Sequence, residues 1–111
     1  MGHLYLDTPP PTLDVRPAIL RPGDVVRVAF RVLRIPGALA LPRFDVSVFD
    51  RRPSRVATLL REPVRPTGGV VCLDWDGRDD RGCLLEPGRY QLRVKGLGNP
   101  LLLERTLTIE G

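Results

Sequence analysis

The sequence predicts an all-β protein, an antiparallel β-sandwich of about seven short strands, and three observations predict it. First, 12 Pro and 11 Gly among 111 residues interrupt the chain too often for long helices, because proline removes a backbone donor and glycine costs backbone entropy. Second, apolar and polar residues alternate in short runs, the period of strands with one buried and one wet face. Third, Pro/Gly turns separate these runs at short intervals, as in sandwiches rather than βαβ folds. The length allows one domain. With 42% apolar and 27% charged residues the chain can build a core, and no apolar run approaches the roughly 20 residues of a membrane-spanning helix.

Residues 1–12 end in Pro9-Pro10-Pro11, which favours an extended polyproline conformation, and read as an arm preceding a sandwich over 13–111. Leu13 and Val15 make a first short strand that stops at Pro17, and Arg21-Pro22-Gly23-Asp24 is turn chemistry. The run Val25 to Leu33 puts Val26, Val28, Phe30 and Val32 on one face and Arg27 and Arg31 on the other. After Ile35-Pro36-Gly37, a third strand buries Phe44, Val46 and Val48 and turns Asp45 and Ser47 outward. Residues 50–54 form a hairpin tip, and Val56 to Leu60 is the returning strand. Val70 to Trp75 is the fifth. Arg89 to Lys95 is the sixth, with Tyr90, Leu92 and Val94 inward, and Leu101 to Ile109 is the seventh, with Leu103, Leu107 and Ile109 on one face. Alternation fails at Leu101-Leu102-Leu103, which is either a strand covered on both faces or an apolar patch for a partner.

The formal charge is +4, carried by 16 Arg and a single lysine, Lys95. The arginines are interleaved with strand-like apolar positions and read as the solvent faces of strands. Without a block of like charges, the pattern argues against nucleic-acid binding. The first residues, MGHLYLDTPPPT, lack a basic region followed by an apolar stretch. Synthesis without a cleaved leader is therefore expected, with a later place in an exported particle left open. Cys72 and Cys83 permit one disulfide at most and resemble no metal-binding pair. Two free thiols are the default, with Cys72 a small core residue, and a bridge across the intervening loop is the alternative.

The most specific stretch is Trp75-Asp76-Gly77-Arg78-Asp79-Asp80-Arg81-Gly82, followed by Pro87-Gly88-Arg89-Tyr90. Trp75 can bury a large ring at a strand end, and Tyr90 re-enters the core with a hydroxyl that needs a partner. Asp76 and Asp79 can accept from nearby amides as Asx turns do, while Gly77, Gly82 and Gly88 admit conformations other residues avoid. This pattern, with VRVAFRVL, FDVSVFD and RVATLL upstream, resembles the Ig-like domain of flagellar hook-capping proteins over about residues 13–96. The resemblance implies an Ig-like β-sandwich and a non-catalytic role in assembly or spacing. It carries over Trp75, Asp76, Gly77, Asp79, Gly82, Gly88 and Tyr90 as residues of the fold. The hook-capping protein carries further regions that 111 residues cannot hold, so the resemblance speaks to fold before role.

The cluster of Asp74, Asp76, Asp79 and Asp80 has the oxygen chemistry of a calcium site but not the spacing of an EF-hand, and reads as a hydrogen-bonded turn balanced by Arg78 and Arg81. The lone histidine, His3, sits in the arm, so a Ser-His-Asp or Cys-His system has no base in the sandwich. No catalytic, cofactor or metal residue is assigned, and an enzyme is not expected. Candidate partner-binding residues are Tyr5 and Pro9, Pro10 and Pro11 in the arm; Arg51, Arg52 and Arg55 at the hairpin tip; and Leu101 and Leu102 in the last strand. A proline-stiffened arm loses less entropy on docking, and arginine's planar fork pairs with carboxylates. The expected function is a structural, assembly or adaptor subunit whose partners are other proteins or further copies of the chain. A subunit of a phage-tail-like or contractile injection particle is one alternative, and a carbohydrate- or nucleic-acid-binding module is another.

Overall fold

The computed structural model describes residues 13–32, 43–63, 69–98 and 102–110. They form eight strands: β1 (Leu13–Arg16), β2 (Ile19–Leu20), β3 (Val26–Arg31), β4 (Phe44–Phe49), β5 (Arg55–Leu60), β6 (Val70–Trp75), β7 (Gly88–Gly96) and β8 (Leu102–Ile109). One sheet has the order β1-β3-β6 and the other β2-β8-β7-β4-β5. In Ig terms β1, β3 and β6 occupy the places of strands A, B and E, and β4, β7 and β8 those of C, F and G. The fold is the expected Ig-like β-sandwich, and among the described residues no helix is long and apolar enough to cross a membrane.

Alternation decides which faces meet. Val26, Val28 and Phe30 of β3 with Val71 and Trp75 of β6 pack on Phe44, Val46 and Val48 of β4, Leu92 and Val94 of β7, and Leu107 of β8. The rings of Phe30 and Phe44 meet edge to face across the two sheets, centroids 5.2 Å apart at 79°, the geometry aromatic quadrupoles favour. Each such fully buried side chain contributes about 2 kcal/mol of transfer free energy.

The structure departs from the sequence reading in four places. The described residues add one short strand to the seven read along the chain, because Ile19–Leu20 pairs parallel to the end of β8. Thr108 N donates to Ala18 O at 2.9 Å, and Glu110 N donates to Leu20 O at 2.8 Å. Two residues are too few to show a period, so this strand was invisible to patterning. Asp45 and Ser47 point away from the core but are not wet: they are 7% and 1% exposed. Cys72 is exposed rather than a core residue, and both thiols are free, because odd and even positions of β6 face opposite ways and Val71 takes the inner one. Leu102 is 56% exposed, so the start of β8 is not covered on both faces.

Candidate interaction surface

The Trp75–Tyr90 stretch is held by a dense set of hydrogen bonds. Trp75 is buried, and its indole Nε1 donates to Arg78 O at 2.9 Å. Asp76 Oδ1 accepts from Arg78 N at 3.1 Å, and Asp79 Oδ1 accepts from both Arg81 N and Cys83 N at 2.9 Å. Gly77 and Gly82 have φ of +80° and +84°, where a Cβ is strained. A Cβ on Gly77 would meet Leu20 only at ordinary contact distance, 3.7 Å, so backbone conformation rather than space requires glycine there. Tyr90 OH donates to Glu86 O at 2.6 Å, the backward bond of the tyrosine corner at the start of strand F. Burial, with the charges of Glu86 and Asp50, pushes the Tyr90 phenol above its usual range.

Two details of this loop were not foreseen. Asp80 reaches across to β5: its Oδ1 accepts from Thr58 N at 2.8 Å while its own amide donates to Val56 O at 3.2 Å. The turn thereby covers part of the outer edge of β5, an end strand whose unpaired amides would otherwise invite foreign strands. Arg78 does balance Asp76, at 3.6 Å, but the Arg81 side chain forms no ion pair among the described residues, and Asp74 pairs instead with Arg27 at 3.4 Å.

The outer face of the larger sheet explains why Asp45 and Ser47 are covered. Arg55 grips Asp45 with both arms of its fork, Nη1 to Oδ1 at 2.9 Å and Nη2 to Oδ2 at 3.0 Å. Ser47 Oγ donates to Asp45 and accepts from Arg55, and Arg61 lies 3.7 Å from the second carboxylate oxygen. Burial alone would raise the Asp45 carboxyl, but the hydrogen bonds from Arg55 and Ser47 and the charges of Arg55 and Arg61 outweigh it and hold it below 3.8. Bonding to Asp45 raises the Arg55 guanidinium in turn. Phe49 lies between Arg55 and Arg93, whose guanidinium carbons are 5.4 and 4.5 Å from its ring centroid. Arg93 also reaches Glu104 at 3.5 Å.

These contacts sort the predicted partner-binding residues. Arg55, expected at the free tip, is the first residue of β5 and is engaged by Asp45, so it is removed from the candidate set. Arg51 and Arg52 do lie exposed in the turn, which is held by Asp50 Oδ1 accepting from Arg52 N at 3.0 Å and Ser54 N at 2.6 Å. Those amide bonds keep the Asp50 carboxyl below its usual value. Leu102 is exposed on β8, and Leu84 is 50% exposed beside the signature loop. Tyr5, Pro9, Pro10, Pro11 and Leu101 lie outside the described residues.

The structure adds a concavity that sequence reading missed. Beyond the Phe49↔Gln91 pair β4 leaves the ladder, while β7 continues to Gly88, paired with β8 alone. The gap is a cleft of about 460 Å³ lined by Asp50, Arg51, Arg89, Tyr90, Gln91 and Thr106, with Gly88 at its end. Alternation had placed Arg89 and Gln91 on the outer face, but only the pairing of β4 with β7 brings them beside Arg51.

No family model matches the chain. No curated protein matches it either. Among solved structures it is similar to PorZ of Porphyromonas gingivalis, described as an essential bacterial surface component of the type-IX secretion system. The TM-score is 0.59 at 19% identity, and the match covers 99% of this chain but 12% of PorZ. At that identity the likeness is one of fold.

Proposed function

We propose that this domain is a non-catalytic assembly module that serves as one part of a larger protein complex. The observation that carries the reading is the use made of the signature loop. Its carboxylates, the most distinctive chemistry in the sequence, are engaged by Arg27, by amides of their own turn and by the Thr58 amide of β5. The loop therefore serves the sandwich itself, and the features turned to solvent are those of a docking surface: guanidiniums without an ion pair among the described residues, such as Arg51 and Arg89, and the exposed side chains of Ile19, Val25, Leu84 and Leu102. The fold of PorZ, where a region of this size is about an eighth of a surface component, supports the same reading, as does the resemblance to the Ig-like domain of hook-capping proteins.

Sedimentation tests it. The tagged chain, expressed in its native host, should migrate far ahead of a 12.4 kDa monomer and should photo-cross-link to the same partner from positions 84 and 102. A chain that runs as a free monomer under all growth conditions overturns the reading. Deleting residues 1–11 measures the arm's share, and an unchanged assembly state assigns docking to the sandwich alone.

A further inference from the structure

We propose that the cleft between the Asp50–Arg51 turn and the start of β7 binds an extended acidic peptide segment of a partner protein. This rests on the assembly reading above and names the partner's chemistry. Three properties of the cleft point to that ligand. Its cationic groups are available, since neither Arg51 nor Arg89 forms an ion pair among the described residues. Two guanidinium forks recognise carboxylates in a planar, bidentate way. The one carboxylate in the lining, Asp50, already accepts two amides of its own turn, so the arginines keep a net positive cleft.

The second property is the backbone. From Gly88 to Tyr90, β7 is laddered on its β8 side only, so the side facing the Asp50 turn presents main-chain donors and acceptors to an added strand. Gln91 and Thr106 are opposite each other in the β7–β8 register and supply an amide and a hydroxyl at the mouth. Tyr90 is buried in the core with its hydroxyl held by Glu86 O, which anchors the start of β7 beside the cleft. A main-chain edge flanked by alternate side-chain sites fits a peptide in extended form, with every second residue facing the arginines.

Charge distribution is the third property and separates a peptide from a nucleic acid. A phosphate backbone needs a continuous basic track. Away from this cleft the outer face interrupts any such track, because Arg55 and Arg61 are engaged by Asp45 and Arg93 by Glu104. Arg51 and Arg89 thus form a local pair of guanidiniums in a cleft about the size of a few side chains rather than part of a track.

The test uses the full chain and a synthetic peptide that alternates Glu and Val, with its Gln-for-Glu counterpart and an oligonucleotide of equal charge as further arms. Amide shift changes on titration should be confined to residues 50–51, 88–91 and 106, and the Arg51→Glu/Arg89→Glu variant should weaken binding about tenfold or more. A thermal midpoint for that variant equal to the parent's shows that folding is intact. Shifts elsewhere, no shifts, equal binding of the Gln peptide, or tighter binding of the oligonucleotide each overturn the proposal. Sedimentation separates the two readings. A variant that still enters the large complex sinks the cleft and spares the assembly role, whereas a parent chain that never enters it sinks the assembly role itself.

Discussion

The two ends of β4 place an aspartate beside arginines and use them in opposite ways. At one end Asp45 lies on the outward face of a strand with neighbours on both sides, and Arg55 and Arg61 from β5 and its end fold over it. At the other end Asp50 lies past the last ladder pair and turns its carboxylate onto the amides of its own tip, and Arg51 and Arg89 form no ion pair among the described residues. The sequence holds an Asp near Arg in both places. What differs is how the carboxylate is used: the fork of Arg55 takes both oxygens of Asp45, whereas two backbone amides share Oδ1 of Asp50 and no arginine side chain pairs with it among the described residues. The first carboxylate ties its arginine into the fold, while the second closes a turn and leaves the guanidiniums beside it to the proposed partner.

The strongest way to break this comparison is Asp45→Ala. It removes both hydrogen bonds of the fork and the Ser47 contact, but Arg55 is partly exposed and can recover water. The expected loss is about 2 kcal/mol, read as a lowered urea midpoint with unchanged slope. A double-mutant cycle with Arg55→Ala should return a coupling of about 1 kcal/mol, and strict additivity would show that the pair is ornamental.

Tyr90→Phe, next in size, deletes the hydroxyl bond to Glu86 O and keeps the ring. A loss of about 1 kcal/mol is expected, measured by the same denaturation. The raised Tyr90 phenol favours the neutral form in the folded chain, so its contribution is fully present below 10.0 and is lost as pH rises above it. An alkaline unfolding profile that is identical in Tyr90→Phe and parent would contradict this assignment.

Acid should act on both ends of β4. The Asp45 and Asp50 carboxyls are lowered in the folded state, so their stabilisation is present above 3.8 and fades as pH falls through their folded values. Thermal melts of Asp45→Asn should therefore lose less stability than the parent between neutral pH and the acid limit. The smallest effect on stability belongs to Arg51→Glu/Arg89→Glu, expected within about 0.5 kcal/mol of the parent while peptide binding falls. A large destabilisation there would mean that these arginines serve the fold and would erase the contrast between the two ends.

Much of the sandwich is legible in the amino-acid pattern. Val26, Val28 and Phe30, the alternating face of β7, and the Trp75–Tyr90 stretch all occupy the places their patterns predict, because alternation and turn chemistry are local properties of a few neighbouring residues. The candidate surface was legible only in part. Arg51 and Arg52 were found as a hairpin tip, yet Arg55 was counted with them although it is held by Asp45. Arg89 was seen as an outward residue with nothing to join it to Arg51.

Local patterning is enough to specify the class of fold, the inward side chains of the expected strands, and the positions where glycine permits the signature turn. Which outward residues are wet was decided by the tertiary structure alone. Strand order makes β4 an interior strand, buries Asp45 under arginines from β5, sends Asp80 to the edge of β5, and opens the cleft where β4 leaves β7. The physical reason is range. A period of two residues is written along the chain, whereas the neighbour across a sheet is chosen by pairings between segments distant in sequence.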